Sequence, residues 1–226
     1  MARQVKVITA AEAAALIKNG DTVTTSGFVA SAIPEALDRA VEERFLATGE
    51  PRDITYVYCG SQGNKDGRGA EHFAHEGLLK RYIAGHWATV PALQKMALEN
   101  KMEAYNVSQG ALCHLFRDIA AHRPGCFTKV GLGTFIDPRN GGGKVNDVTK
   151  EDIIELVNIK GQDYLFYPAF PINVALIRGT YADESGNISF EKEVSPLEGT
   201  SVCQAVKNSG GIVVVQVENW LKQAHW

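Results

Sequence analysis

The sequence predicts an α/β fold in which three layers, α/β/α, surround a mainly parallel sheet. Short β-branched runs alternate with helical stretches of roughly 10–15 residues, as in strand–helix–strand units. The run IVVVQV at 212–217 lacks polar alternation, as expected for a strand buried on both faces of a parallel sheet. The 226 residues are 45% hydrophobic and 22% charged, which is typical of one large globular domain rather than a disordered chain.

The first half of the chain contains four predicted strands and four predicted helices. Thr9 and Glu12 have capping-box spacing, and Asn19-Gly20 supplies a left-handed stop after them. Pro34 and Pro91 suit the first turn of two further helices, and a regular apolar stripe marks a fourth. The predicted strands are 21–25, 53–59, 81–84 and 104–107, and the predicted helices are 9–19, 34–46, 91–100 and 110–121.

The second half begins with a long glycine-rich segment. Residues 124–147 hold six glycines and two prolines, and loops of this length usually serve function or are disordered. A turn at 185–187 and a helix at 198–207 follow. The predicted strands of this half are 153–157, 163–167, 174–178, 188–190 and 212–217. We therefore predict one domain over 1–217, followed by an atypical tail, 218–226, in which no strand or cap pattern is visible.

Composition excludes several classes of protein. The sum of 23 Lys and Arg against 26 Asp and Glu gives a net charge of −3, so no basic field for nucleic acid is expected. No run approaches the roughly 18 apolar residues of a membrane span. The four cysteines, 59, 113, 126 and 203, form no CxxC pair, which argues against a zinc ribbon or a thioredoxin-type motif. Reduced thiols in a cytoplasmic protein are the simpler interpretation.

Standard catalytic signatures are incomplete in this sequence. Gly141 to Lys144 resembles the end of a P-loop, but Val145 replaces the Ser or Thr that the motif needs. The Gly131-Leu132-Gly133 run lacks the third glycine of a dinucleotide fingerprint, and no G-x-S-x-G elbow occurs. His72 and His75 could offer metal ligands, although ordinary surface or core histidines are commoner. We therefore predict no metal site.

Three polar, glycine-containing clusters carry the functional argument. They are DTVTTSGFVASAIP (21–34), AYNVSQGALCHLFRD (104–118) and KVGLGTFIDPRNGGG (129–143). All three are expected at the carboxyl ends of strands, where parallel α/β sheets bind ligands. Plain turn chemistry would also explain the glycines and prolines of each cluster taken singly.

Taken together, these segments resemble the family I CoA-transferases. The first cluster is similar to the family's N-terminal signature, a strand followed by G-G-F-x-x-x-G-x-P, with Ser26 and Ala32 at usual glycine positions. SQGAL is similar to the P-Q-G-x-L turn, with Ser108 replacing proline. GLGTFIDPRNGGGK resembles the G-x-G-x-F-x-x-P stretch, and NVALIRGTYADESGNISF resembles the A-L-I-R-x-x-x-x-D-x-x-G-N stretch. The resemblance runs to about Val217 and implies the alpha half, the N-terminal domain, of the single-chain acetate/propionate/acetoacetate type.

The resemblance implies a reaction and a set of site residues. CoA would move between short-chain acyl-CoA and carboxylates such as acetate, acetoacetate or propionate, through a glutamyl-CoA thioester. Gln109 would stabilise the tetrahedral oxyanion. No metal or redox cofactor is implied, since coenzyme A is a substrate. The implied substrate-binding residues are Gly27, Phe28, Gly110, Gly131, Gly133, Thr134 and Phe135.

The nucleophilic glutamate is expected outside this chain, in a beta half. Glu218 and Glu198 are weaker candidates, since Trp220 stands where a glycine would be wanted after Glu218. We therefore expect a truncated, frame-shifted or deliberately divided product of a protein roughly twice as long. Alone it would be inactive, and it would need a beta-type partner, in a homo- or hetero-oligomer.

Two other functions remain open at this stage. One is a catalytically inactive domain that only binds acyl-CoA or a partner protein. The other is a sugar-phosphate isomerase or deaminase on a related fold, which would require a phosphate cradle and a catalytic base in this chain.

Overall fold

A six-stranded parallel sheet forms the centre of the computed structural model, which describes residues 5–222. Its strand order is β11-β8-β1-β2-β3-β4, and every neighbouring pair is parallel. The mixed α/β architecture predicted from the sequence is therefore confirmed. These strands are β1 (Thr22–Thr25), β2 (Ile54–Tyr58), β3 (Leu79–Ala84), β4 (Glu103–Asn106), β8 (Val174–Arg178) and β11 (Ile212–Gln216).

Five α-helices flank the sheet within the described residues. Their bounds are α1 (Ala10–Ala14), α2 (Glu35–Thr48), α3 (Pro91–Leu98), α4 (Gln109–Ala120) and α5 (Gly199–Asn208). Helix α1 packs on α2, and α4 packs on α5. In the part of the chain that the structure describes, no helix has the length and apolarity needed to cross a membrane.

The predicted capping box starts α1, but the helix is shorter than expected. Thr9 N donates to Glu12 Oε2 over 2.8 Å, and Glu12 N donates to Thr9 Oγ1 over 3.2 Å. Beyond Ala14 the hydrogen bonds tighten, since Ile17 N donates to the Ala14 carbonyl three residues back. This tighter turn buries the Ile17 side chain and ends the α-helix five residues before the predicted end at residue 19.

The interpretation of 212–217 as a strand buried on both faces is wrong. The run does form β11, but β11 is an edge strand and pairs with β8 alone. Ile212 is 43% exposed, and most of the other β11 residues are only half-buried. An uninterrupted apolar run therefore did not reveal where its strand lies in the sheet order.

Two small three-stranded sheets complete the fold. One is antiparallel, in the order β5-β7-β6, and the other has the order β10-β9-β12. Their strands are β5 (Gly125–Thr128), β6 (Glu155–Ile159), β7 (Gln162–Pro168), β9 (Tyr181–Asp183), β10 (Ile188–Ser189) and β12 (Asn219–Leu221).

Three of these short strands were not predicted. β5 lies inside the glycine-rich segment 124–147, and β9 follows β8 almost directly. β12 lies in the tail in which no strand pattern was visible, and it pairs in parallel with β9, with Trp220 opposite Ala182. Residues 223–226 of the predicted tail lie outside the described residues.

Candidate active site

The loop after β1 presents an aromatic ring at the carboxyl edge of the parallel sheet. Phe28 and Ser31 exchange backbone hydrogen bonds of 2.9 and 3.0 Å, which close a tight turn. Gly27 enters this turn at φ +113°, and a Cβ there would lie 2.8 Å from the Ser31 carbonyl oxygen. Only glycine fits such a position. The turn leaves the Phe28 side chain 40% exposed.

A buried glutamine, Gln62, fixes the start of this loop from the loop that follows β2. Its Nε2 donates to the Ser26 carbonyl over 2.7 Å, and its Oε1 accepts from the Tyr56 hydroxyl. Thr25 Oγ1 lies 2.8 Å from the same hydroxyl. Burial raises the pKa of Tyr56 well above its usual value, so the phenol stays a neutral donor. This chain of hydrogen bonds ties the ends of β1 and β2 together.

Sequence reasoning missed Gln62 as a positioning residue. The signal available was that Ser61-Gln62-Gly63 follows a strand with the same three letters as Ser108-Gln109-Gly110. The two glutamines nevertheless differ in environment, since Gln62 is buried and Gln109 is exposed.

The loops after β1 and β2 form one unit. Val29 N donates to the Ser61 carbonyl, and Gly63 N donates to the Val29 carbonyl, both over 2.8 Å. A Cβ on Gly60 would lie 2.9 Å from the Phe28 ring, so the ring packs directly on backbone. The exposed face of Phe28 is therefore held on a rigid base.

Gln109 is the first residue of α4, directly beyond the carboxyl end of β4. Ser108 caps the helix, because its Oγ accepts from Ala111 N over 3.3 Å. The Gln109 side chain is exposed and makes no hydrogen bond to the described residues. Its amide N–H groups are therefore available to an external oxyanion. Gly110 follows, exposed and with open space where a Cβ would stand.

Gly85 brings Gln109 close to the other two loops. A Cβ on Gly85 would lie 2.6 Å from the Gln109 Cα and 2.5 Å from the Cys59 carbonyl oxygen. Gly85 N also donates to that carbonyl over 3.1 Å. The start of α4 thus packs against the ends of β2 and β3, on the same edge of the sheet as Phe28.

The expectation that the third cluster, 129–143, follows a parallel strand is wrong. It follows β5, which belongs to an antiparallel sheet. Only its far end reaches the parallel sheet, where Asn106 N donates to the Gly143 carbonyl over 2.8 Å. Antiparallel pairing of β5 with β7 is a long-range contact that the local sequence does not encode.

An Asp–Arg pair holds the residues of this cluster in a compact turn. Asp137 Oδ2 accepts from Gly133 N over 2.8 Å and from Arg139 Nη2 over 2.7 Å. These hydrogen bonds hold the pKa of Asp137 well below its usual range. Thr134 Oγ1 donates to the Gly131 carbonyl over 2.7 Å, and Phe135 is 56% exposed. Sequence reasoning missed Asp137, which keeps Gly131 to Phe135 in one conformation.

Glu218, the tempting internal nucleophile, is engaged in ion pairs. Its Oε1 lies 2.5 Å from Arg178 Nη2, and its Oε2 lies 3.6 Å from Lys192 Nζ. Arg178 also contacts Glu193 over 2.9 Å. Two cations stabilise the Glu218 carboxylate and make it a weaker nucleophile than a free one. The location of the nucleophile outside this chain stays a prediction.

His72 and His75 pair with carboxylates of α2 rather than with each other. His72 Nδ1 lies 2.6 Å from Glu42 Oε2 and His72 Nε2 lies 3.0 Å from Glu35 Oε1, while His75 Nε2 lies 2.6 Å from Glu42 Oε1. Burial lowers the pKa of His72, but the hydrogen bonds to both glutamates outweigh it, so the pKa is raised. The pairing is that of a buried acid–imidazole cluster.

The structure therefore assembles part of the predicted site. Gly27, Phe28, Gln109 and Gly110 lie on one edge of the parallel sheet, joined through Gly60 and Gly85. Residues 131–135 form a separate turn on the small antiparallel sheet, connected to that edge through Gly143. An apolar ring, a free amide and close-lying backbone suit the binding of an acyl group and the stabilisation of an oxyanion.

Comparison with known proteins identifies the family of this chain. The family model described as coenzyme A transferase matches residues 7–225. A caffeate CoA-transferase of Acetobacterium woodii is 46% identical over 213 residues, which cover 94% of this chain and 41% of that protein. The acetate CoA-transferase YdiF of Escherichia coli K12 is 40% identical over 223 residues, 98% of this chain and 42% of that protein.

Solved structures show the same relationship. The acyl-CoA transferase YdiF of E. coli O157:H7, crystallised as a thioester complex with CoA, superposes with a TM-score of 0.95 at 38% identity. The alignment covers 99% of this chain and 44% of the crystallised chain. This chain thus spans less than half the length of these relatives. It belongs to the coenzyme A transferase family, as an alpha-type domain of family I.

Proposed function

We propose that this chain is the alpha half of an enzyme that moves CoA between acyl-CoA and carboxylates. The observation that carries the proposal is the exposed, unpaired Gln109 amide at the start of α4, on the same sheet edge as Phe28. Family membership favours this reaction over an isomerase or deaminase. The related YdiF protein, crystallised as a thioester complex with CoA, supports a covalent thioester intermediate.

The proposed steps divide one difficult exchange into easier ones. A glutamate of the beta half attacks the thioester carbonyl of acyl-CoA, so that CoA leaves as a thiolate and a mixed acyl-glutamyl anhydride forms. The thiolate then attacks the glutamyl carbonyl of the mixed anhydride, which releases the carboxylate and forms a glutamyl-CoA thioester. The acceptor carboxylate then attacks the glutamyl-CoA thioester, and the two steps run in reverse. The acceptor leaves as the new acyl-CoA, and the glutamate is regenerated. Each step passes through a tetrahedral oxyanion, to which Gln109 donates a hydrogen bond.

The remaining predicted residues contribute binding surface in this proposal. The exposed Phe28 ring covers the acyl group, and Gly27 and Gly110 allow close approach of backbone. The turn from Gly131 to Phe135 offers a second exposed aromatic ring, on a separate turn that is connected to this edge through Gly143. The Glu218 carboxylate, paired with Arg178 and Lys192, takes no part in the chemistry.

The names of the relatives suggest two carboxylates for comparison. Acetate is favoured by the likeness to YdiF, and caffeate by the 46% identity to the Acetobacterium protein. A beta-type half is the proposed partner, because the relatives that match are more than twice as long as the stretch they share with this chain. By itself the chain would carry no nucleophile and would not turn over.

A chimaera tests the proposal. This chain replaces the matched 223 residues of the E. coli K12 relative, and CoA transfer from acetyl-CoA is measured with propionate and with caffeate as acceptors. We expect turnover, and Gln109→Ala should lower it at least tenfold, since one oxyanion donor is typically worth about 10²–10³ in rate. Gln204→Ala, an exposed glutamine of α5, serves as the matched control and should leave the rate unchanged.

Three results would contradict the assignment. An unchanged rate in Gln109→Ala would remove the proposed oxyanion role. A CoA adduct on this chain alone, found by intact mass after incubation with acetyl-CoA, would place the nucleophile inside the chain. Tight acyl-CoA binding without turnover in the chimaera would favour a catalytically inactive binding domain instead.

A further inference from the structure

Three potential metal ligands meet beside the start of α4. Among residues 5–222, Cys59 Sγ, Cys113 Sγ and a carboxylate oxygen of Glu198 all lie within 4.8 Å of one another. The three residues come from different elements: Cys59 directly follows β2, Cys113 lies in α4, and Glu198 precedes α5. The proposed transferase chemistry uses none of them.

We propose that Cys59, Cys113 and Glu198 bind one Zn²⁺ ion, contrary to the expectation of no metal site from the sequence. Two thiolates and one carboxylate are a donor set that zinc accepts, with bonds of about 2.3 Å to sulfur and about 2.0–2.2 Å to oxygen. Ligand atoms on one tetrahedral zinc lie about 3.3–3.8 Å apart by that geometry. The observed upper limit of 4.8 Å therefore leaves only a small adjustment for the side chains to make.

Backbone hydrogen bonds hold two of the three ligands in place. The Cys59 carbonyl accepts from Gly85 N over 3.1 Å, and the Cys59 side chain is buried. The Glu198 carbonyl accepts from Val202 N over 2.9 Å, in the first turn of α5. Ordered ligands lose little entropy on binding an ion. The ion would join the end of β2 to two helices.

The Glu198 carboxylate is available for coordination. Glu198 precedes α5, yet its side chain makes no capping hydrogen bond to that helix. Its ion pair with Arg117 is long, with 3.9 Å between Arg117 Nη2 and Glu198 Oε1. The Glu198 carboxylate therefore lies near the two sulfurs and has no short hydrogen bond or ion pair to the described residues.

The charges of the three ligands nearly balance that of a divalent ion. Zinc takes cysteine as the thiolate, so two thiolates and one carboxylate would surround the ion. The net charge of −1 that remains faces Arg117, one helical turn after Cys113 on α4.

Access from solvent is consistent with an exchangeable ion. Cys113 and Glu198 are half-buried, whereas Cys59 is buried beneath them. Three protein ligands leave a fourth tetrahedral position for water or another donor. We infer an open site rather than a fully closed structural one.

Cobalt binding tests the proposal without any measurement of transferase activity. The full chain, prepared without a histidine tag, is reduced, treated with chelator and titrated with Co²⁺. We expect one Co²⁺ per chain, a thiolate-to-cobalt charge-transfer band in the near ultraviolet, and loss of that band when Zn²⁺ is added. Cys113→Ser should abolish the band, and Glu198→Gln should weaken Co²⁺ binding at least tenfold.

Cys126→Ser is the matched control, because Cys126 is a buried thiol on β5 outside the cluster. It should keep the charge-transfer band. The proposal is overturned if the reduced wild-type chain gives no band, if Cys113→Ser retains it, or if Cys126→Ser loses it as well. If Cys113→Ser fails to fold, Glu198→Gln provides the test. Wild-type Co²⁺ affinity in Glu198→Gln would also overturn the site.

Discussion

Replacing Gly27 by alanine should destabilise the chain by about 2–5 kcal/mol. The backbone there has φ +113°, where a side chain costs about 1–2 kcal/mol. The added Cβ would lie 2.8 Å from the Ser31 carbonyl and 3.0 Å from the Ala32 carbonyl. Both are backbone atoms and cannot rotate away, so overpacking adds about 1–3 kcal/mol. Equilibrium unfolding in urea measures the total.

Gly20→Ala separates the two contributions. Gly20 also has a positive φ, +79°, but a Cβ there would meet nothing within 4 Å. In Gly20→Ala the free energy of unfolding should fall by only about 1–2 kcal/mol. Any gain in stability from a stiffer unfolded chain is the same in both variants. The difference of about 1–3 kcal/mol between the two variants measures the close approach beneath Phe28. Equal losses in the two variants would refute the reasoning.

Two further predictions concern buried polar groups. Gln62→Leu should lower the free energy of unfolding by about 1–3 kcal/mol, as measured by urea unfolding. The reason is that the Ser26 carbonyl loses the Gln62 amide and the Tyr56 hydroxyl keeps only Thr25 as a partner. His72→Gln should destabilise the chain more at about pH 6 than at about pH 9, as measured by urea unfolding at both pH values. The pKa of His72 is raised above 6.5, so its stabilisation is complete below that pH and is lost as pH rises through the folded-state pKa.

Controls make both predictions decisive. Gln204→Leu alters an exposed glutamine and should change the stability by less than about 0.5 kcal/mol. A similar loss in Gln62→Leu and Gln204→Leu would contradict the role of Gln62. A His72→Gln effect that is equal at both pH values would mean that the charge of the imidazole does not contribute through Glu35 and Glu42.

Elements with a strong local signal were predicted with accurate boundaries. The strand at Val174–Arg178 has the predicted limits, and α4 is displaced by a single residue at each end. The Thr9 capping box was also found, because each of its hydrogen bonds joins residues only three apart. Local chemistry suffices for such features.

Elements stabilised by distant partners were missed. β5, β9 and β12 have only three or four residues each, and their ladders join segments far apart in the sequence. The position of β11 at the edge of the sheet was also missed, since a central strand would be expected to have the same kind of apolar run. Asp137 and Gln62 escaped notice because their importance lies in which backbone groups they contact.

The sequence by itself determined the family, the α/β fold and the motifs that carry Gly27, Phe28 and Gln109. These depend on residue order within short segments, where spacing and turn chemistry act locally. Only the tertiary structure brought the ligand atoms of Cys59 and Cys113, 54 positions apart in the sequence, within 4.8 Å of each other and of Glu198. Such convergence follows from strand order and helix packing, which no local pattern specifies.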